Sequence, residues 1–496
     1  MPDVPNANAE PEAASSAAGG PAAAGRAART IVITRDLGEI WIALIERNRP
    51  VELILRPADS PRFLGRIVKG TVTRTVPGVS AHFVDIGIER DAFTMVRALP
   101  SDSNNARPYK PGDEVVVQIV REPERGKGPR ASMEITLPGW ALVLMPFSEH
   151  RGVSRRIADD GERERLREIL ERLEPRQYGI IARTAAAGAT SDRLADEYVE
   201  LLARWRAIEK RASELRAPAV LEEEPGPVLG FVRDHLASGV TEIVTDDEPA
   251  FTALSAALPR SIDGVVPALT RYGGPLPAVE AFRLDTALDE ALGREVRLRG
   301  GGRLVIEQTE ALVSIDVNSA QDIGAADLEQ TALRTNLAAV TEIARQLRMR
   351  ELGGLIVVDF IDLSNPSNRG AIERSLRRAL ADDRAKTHTL PLTEFFLAQI
   401  TRQQRRAPLA HRVTEPCTLC GEGYRLRPRA EARRLLRELR RVARYSPKAR
   451  FEVSAPANVR DAAGEILASW GCDSHMPDSE QIVWKPGDTA VRVVGQ

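Results

Sequence analysis

The sequence is poor in cysteine, in lysine and in long apolar runs, and it has no excess of either charge. Three cysteines among 496 residues leave no disulfide framework and point to a reducing cytoplasm. No run of about 18 apolar residues occurs, which excludes a helical membrane span. A net charge of −1 argues against a uniformly basic nucleic-acid binder but leaves local basic patches open. The positive charges are nearly all arginine, the better bidentate ligand for phosphate. The first stretch, Met1–Arg29, lacks the basic start and bulky apolar centre of a signal peptide. It is rich in Ala, Pro, Gly and Ser, and Asp3, Glu10 and Glu12 set it apart from a transit peptide. A disordered extension is expected there. The sequence as a whole has the apolar share of a globular protein, 43%, and length enough for several domains.

Two stretches organise the chain: Ala311–Ala320, ALVSIDVNSA, and Gly354–Asp362, GLIVVDFID. Each reads as a buried β-branched strand that ends on a carboxylate, Asp316 or Asp359. Between them, about 326–349 has the apolar spacing of a crossover helix. Strand, helix, strand makes neighbouring parallel strands, so both carboxylates are expected at one sheet edge, where open α/β sheets keep their sites. Alternation places Asn318 on the same side as Asp316. Side-by-side carboxylates repel unless a proton or cation lies between them, and Mg²⁺ takes one or two carboxylates plus phosphates and waters. Asp316 and Asp359 are therefore the expected Mg²⁺ ligands, Asn318 an orienting or substrate-binding neighbour, and Asp362 a weaker accessory. The competing reading makes both Asp residues caps of the following elements.

The segment 62–136 carries about five short strand patterns punctuated by Gly and Pro, with no helix, which suits a small closed barrel such as an OB-fold. Phe83 and Phe93 fit either its core or stacking platforms for bases, and Lys127 fits a phosphate contact. Helices are predicted over 161–174 and 191–216, the second with Ser191 as N-cap. The strand 178–184 between them leads to Arg183 and Thr184, which fit an anion pocket or an ordinary surface turn. Residues 218–226 look like a linker. A further small α/β unit follows, then a three-stranded meander over 295–318. Cys417 and Cys420 form a CxxC pair. Structural zinc needs four ligands, so either His411 and Cys472 complete the set within one chain or two chains each contribute a pair. The basic run 424–450 holds a helix near 430–445, either tracking RNA phosphates or packing Leu435, Leu436 and Leu439 inward.

Three stretches in order, RLVIEQTEALVSIDVNSA, TALRTNLAAVTEIARQLRMRELGGLIVVDFIDL and CTLC, resemble the bacterial ribonuclease E/G family. Weaker similarity reaches back through GVSRRI, GIIARTA, RGKG and AHFVDIGIERDAF. The resemblance implies a multidomain α/β (α+β) chain: an OB-fold barrel inserted in an RNase H-like unit, a DNase I-like catalytic domain, a CxxC zinc link and a small C-terminal domain. The corresponding boundaries are the extension at 1–29, the first part of the RNase H-like unit at 30–61, the barrel at 62–137 and a 5′-end sensor region at 138–217. The second part of the RNase H-like unit takes 218–290, the catalytic domain 291–412, the zinc link 413–423 and the C-terminal domain 424–496.

By the same resemblance, Asp316 and Asp359 hold catalytic Mg²⁺ with Asn318 beside them, and Arg183 and Thr184 receive a 5′-monophosphate. Phe83, Phe93 and Lys127 contact RNA, and Cys417 and Cys420 share zinc between two subunits of a dimer that pairs into a homotetramer. The implied activity is a cytoplasmic, Mg²⁺-dependent endoribonuclease cutting single-stranded A/U-rich RNA, favouring 5′-monophosphorylated ends, in rRNA processing and mRNA decay. The alternative is a non-catalytic RNA-binding or scaffold protein of the same fold. No Pro- and Arg-rich tail follows the last domain, which is closer to the short ribonuclease G type. Ala320, Gln399, Gln403 and Gln404 depart from the family pattern and bear on how substrate is positioned.

Overall fold

A computed structural model describes residues 28–58, 63–76, 81–95, 109–123, 128–223, 226–258, 267–319, 328–417, 424–470 and 476–495. Lys127, Ala320, Cys420, Cys472 and nearly all of the N-terminal extension lie outside them.

The chain opens with an antiparallel meander, β1 (Arg29–Asp36), β2 (Glu39–Glu46) and β3 (Arg49–Pro57). Both connections are two-residue turns with positive φ at each centre, Leu37-Gly38 and Arg47-Asn48. That backbone twist matches the twist of the strands it joins.

Next comes the barrel: β4 (Ile67–Val76), β5 (Ala81–Asp85), β6 (Ala92–Met95), β7 (Glu114–Arg121) and β8 (Arg130–Ser132). The pairing runs β4-β5-β6-β8-β7 and closes from β7 back to β4. Only β6 and β8 run parallel. A closed five-stranded barrel with this order is OB-like. Val68, Val72, Val84, Val117 and Ile119 fill it. Gly70 is required where β4 crosses β5, since a Cβ there would lie 2.5 Å from the Asp85 carbonyl oxygen.

A four-stranded sheet follows, of β9 (Leu137–Pro138), β10 (Leu142–Met145), β11 (Arg151–Val153) and β12 (Gly179–Ala182). It packs with α1 (Asp160–Arg172) and α2 (Ser191–Glu214). The N-cap of α2 is Thr190, whose side chain accepts from Arg193 N, not Ser191. The expected linker is also partly strand: β13 (Ala219–Glu222) pairs antiparallel with β4. Its acidic, Pro-flanked composition concealed a strand whose pairing is long-range.

After α3 (Pro227–His235), β14 (Val240–Thr245) returns parallel to β1, and α4 (Glu248–Ala257) leads to β15 (Ala268–Arg271) beside β14. The first sheet is therefore β15-β14-β1-β2-β3, assembled from two distant chain segments. The short helices α5 (Ala278–Ala281) and α6 (Leu284–Leu292) cover its other face, packing against Trp41, Leu53 and Leu55.

The last large unit is a six-stranded sheet of β16 (Glu295–Arg297), β17 (Arg303–Gln308), β18 (Leu312–Asn318), β19 (Gly354–Asp359), β20 (Thr387–Thr389) and β21 (Leu397–Arg402). Its order is β16-β17-β18-β19-β21-β20. The helices α7 (Leu328–Met349) and α8 (Pro366–Ala381) bury one face through Val340, Ile343, Ile372 and Leu376. Beyond it come α9 (Leu409–Val413), the hairpin of β22 (Thr414–Pro416) with β23 (Tyr424–Leu426), and α10 (Pro428–Tyr445). The C-terminal unit closes with β24 (Arg450–Ser454), α11 (Ala457–Trp470), β25 (Ile482–Lys485) and β26 (Ala490–Gly495).

Three arginines of α10 face inward. Arg433, Arg437 and Arg440 are buried, and they pair with Asp36, Glu39 and Glu280. Leu37, at the tip of the first hairpin, is fully enclosed by α10 and β24. Leu435, Leu436 and Leu439 are packed inward as the second reading of this helix expects, but these three arginines are buried with them rather than solvated, and they join the C-terminal unit to the first sheet. Stripping Asp36 and Glu280 of a shared partner strands buried charge. Arg440→Met is expected to lower stability by about 3 kcal/mol in urea unfolding followed by circular dichroism. An unchanged midpoint would contradict the joint.

Candidate functional site

The site begins with alternation along β18. Val313, Ile315 and Val317 turn into the helix-covered core, so Asp316 and Asn318 face out. On β19, Ile356 and Val358 are buried and Asp359 faces out. The two strands are parallel and in register, with Asp316 opposite Asp359. Neighbouring strands lie about 4.8 Å apart, so the carboxylates share one edge of the open face. The Asn318 amide donates to Asp316 Oδ2 at 2.7 Å, fixing that carboxylate without adding charge. Partial desolvation raises the Asp359 carboxyl above its ordinary range, and the charges of Asp316 and Asp362 raise it further. This unrelieved repulsion suits a cation. Among the described residues no group of three or more His, Cys, Asp or Glu side chains converges into a metal cage. The protein donors here are thus the carboxylate pair, a set that fits a hard ion completing its shell with water and phosphate.

Two residues that the sequence did not single out hold the chain after Asp359. Asn336, fully buried on α7, donates from Nδ2 to the Ile361 carbonyl at 2.8 Å and accepts from Ile361 N at 3.1 Å. Glu329, in the first turn of α7, accepts from Ser364 N, Asn365 N and Asn368 Nδ2. These bonds pull its carboxyl below the ordinary range. Only the spacing of polar residues on an otherwise apolar helix face hints at them. Of the departing glutamines, Gln399 lies on the open face beside Val357. Gln403 lines the cleft described next, and Gln404 donates to the Glu351 carbonyl at 3.0 Å.

Arg183 and Thr184 follow β12 and line a cleft of about 680 Å³. Arg29, Arg156, Arg233, Arg384 and Arg405 line it too, against Asp234 and Asp382. Its walls come from the β12 region, α3 and the end of α8. The Arg183 guanidinium donates to the Gly139 carbonyl at 2.8 Å and to Asp234 Oδ1 at 2.9 Å. Arg384 binds the other oxygen of Asp234. Burial pushes the Asp234 carboxyl up, but Arg384 and Arg183 outweigh it and hold it well below the usual range. The Thr184 hydroxyl lies 3.3 Å from that of Ser154. Burial first, then Arg384, lowers the Arg405 pKa to about 10. An anion entering here meets a surplus of guanidinium groups, of which Arg183 and Arg384 are already held by one aspartate.

Phe83 and Phe93 are cross-strand partners outside the barrel core, each half-buried. Their rings meet edge to face at 5.6 Å, and the Arg74 guanidinium lies 4.2 Å from the Phe83 centroid. That is an outward aromatic surface with a cation, not core packing. Cys417 directly follows β22, just past the Pro416–Tyr424 pair of the β22–β23 hairpin. His411 lies on α9, its ring 6.1 Å from that of Tyr424.

Replacing Asn336 by Ala leaves two backbone groups of Ile361 without partners. We expect a loss of about 2 kcal/mol and faster hydrogen exchange at the Ile361 amide. Unchanged exchange there would show that Asn336 does not hold the segment.

Comparison with known proteins covers most of the chain. The sequence profile of the Ribonuclease E/G family matches residues 136–405. Ribonuclease G of Haemophilus influenzae is 32% identical over 462 residues, 90% of this chain and 93% of that protein. Ribonuclease G of Escherichia coli K12 is 33% identical over 439 residues, 86% of this chain and 90% of the relative. Ribonuclease E of the same strain is 35% identical over 409 residues, 79% of this chain but 38% of the relative's own length. With carboxylates, cleft and barrel inside the matched span of ribonuclease G, the chain belongs to the ribonuclease E/G family.

Proposed function

We propose that this protein is a Mg²⁺-dependent endoribonuclease that cuts single-stranded, A/U-rich RNA and favours 5′-monophosphorylated ends, in rRNA processing and mRNA decay. The observation that carries the reading is the register of Asp316 and Asp359, with Asn318 bonded to the first. The relatives are named ribonucleases G and E, which supports the activity class.

Asp316 and Asp359 hold the ion, and Asn318 keeps one oxygen of Asp316 turned in a fixed direction. Mg²⁺ bound there supplies polarisation of a phosphoryl oxygen and activation of a water for in-line attack, leaving a 5′-phosphate and a 3′-hydroxyl. Asn336 and Glu329 keep the segment after Asp359 from shifting. The arginine-lined cleft receives the 5′-monophosphate through Arg183 and Thr184, and a terminal phosphate competes with Asp234 for the Arg183 fork. Phe83 and Phe93 offer bases an aromatic surface on the barrel, with Lys127 as a phosphate contact. The two-segment first sheet supports an RNase H-like unit and the six-stranded sheet a DNase I-like catalytic domain. Cys417 and Cys420 share Zn²⁺ with the same pair of a second subunit, giving a dimer that pairs into a tetramer.

The test is a cleavage assay on a short 5′-monophosphorylated single-stranded oligomer. Cutting is expected with Mg²⁺ and absent with chelator. Asp316→Asn should reduce it at least a hundredfold while RNA binding persists, and full activity in that variant would sink the reading. Arg183→Ala should erase the difference between monophosphate and triphosphate ends; an undiminished difference would move the sensor elsewhere. For the zinc link, Cys417→Ser should halve the mass in solution, and an unchanged mass would refute the shared site.

A further inference from the structure

One aromatic side chain stands in water beside the carboxylate pair. β21 runs antiparallel to β19 with Leu397 opposite Asp359, and Phe395, two residues earlier, sits in the turn that enters β21 at the end of β19 that carries the carboxylate. Two residues of chain reach at most about 7 Å, which keeps Phe395 near that edge. Phe395 is 80% exposed, whereas its neighbour Phe396 is 7% exposed in the sheet's core.

This opposition is built in. Phe396 has φ +58°, a conformation that costs a bulky residue energy and persists only when the surroundings enforce it. The surroundings here are specific. Arg369 of α8 donates to the Leu392 and Thr393 carbonyls and lies 5.5 Å from the Phe396 ring centroid. Glu373, one turn on, accepts from Leu392 N at 2.9 Å. The Thr393 hydroxyl accepts from Leu397 N at 3.1 Å, and Phe396 N donates to the Thr393 carbonyl at 3.0 Å. A turn held from both sides, with one ring locked inward, leaves the other ring no place but solvent.

We infer that Phe395 is a stacking platform for an unpaired nucleobase next to the scissile phosphate, a subsite of the catalytic edge separate from the barrel aromatics. The inference rests on the nuclease reading for the position of the phosphate. An aromatic face binds any base, because every base has a π-face. It accepts only a base free of its duplex stack. Phe395 therefore supplies selectivity for single strands at the bond that is cut, without reading sequence.

The test uses the full chain carrying Asp316→Asn, which holds RNA uncut, and single-stranded oligonucleotides with one 2-aminopurine walked across the cleavage position. Fluorescence should be quenched at one or two positions flanking the scissile phosphate. Adding Phe395→Ala should abolish that quenching and weaken binding about tenfold, while Phe395→Trp should preserve both. A duplex of the same sequence should show no change in fluorescence when the protein is added. Melting temperature should not move, since the ring is exposed. Quenching that survives Phe395→Ala overturns the inference. So does a change in assembly mass in that variant, which would make Phe395 a protein contact. Either result leaves the chelator-sensitive cleavage assay untouched, so failure here is distinguishable from failure of the nuclease reading.

Discussion

Repulsion between Asp316 and Asp359 is the constraint around which the rest is arranged. Strand register brings the two charges together, and nothing basic is bonded to either of them in the hydrogen bonds and ion pairs found among the described residues. Holding them costs energy that must come from elsewhere. It comes from the far face of the sheet, where Val340, Ile343, Ile372 and Leu376 bury the two helices against Val313, Ile315, Ile356 and Val358. A sheet clamped so firmly on one side can keep its other side open and strained. The same division of labour recurs locally: Asn336 and Glu329 use the rigidity of α7 to fix the chain that leaves Asp359.

A net charge near zero hides how the arginines are sorted. One set is consumed as mortar. Arg433, Arg437 and Arg440 are buried against Asp36, Glu39 and Glu280, and Arg345 against Glu290 and Glu342. Such pairs add little net stability compared with apolar packing, but breaking one is expensive, so they fix how the units meet. The other set is gathered around Asp234, where Arg183, Arg384 and Arg405 converge. Composition alone cannot tell the sets apart, because both are arginine beside carboxylate. What separates them is the ratio of charges within each cluster.

The carboxylate pair was legible because its signal is local: two β-branched runs, each ending in Asp, with a helix of suitable length between them. The barrel was legible from its Gly and Pro punctuation. What failed to show depends on distant partners. β13 was taken for a linker because its strand character comes from β4, more than a hundred residues earlier. Thr190 and Ser191 are both acceptable caps by type, and only the backbone geometry chose Thr190. Phe83 and Phe93 read from spacing as core rather than surface, because alternation does not say which face of a small barrel is inside, and both lie outside the core. Asn336 is one polar residue on a helix, and its role exists only once Ile361 lies beside it.

The first sheet has a consequence for synthesis. β1 and β14 are direct neighbours, yet the barrel, the β9–β12 sheet and three helices lie between them in sequence. As the chain leaves the ribosome, the opening meander emerges with the β1 edge bare, and its partner arrives only after the intervening units have been made. An unsatisfied β edge invites wrong pairing. The nascent protein therefore passes through an interval in which its earliest strands are held by their own hairpins alone, and a translation pause before Val240 would lengthen that exposure.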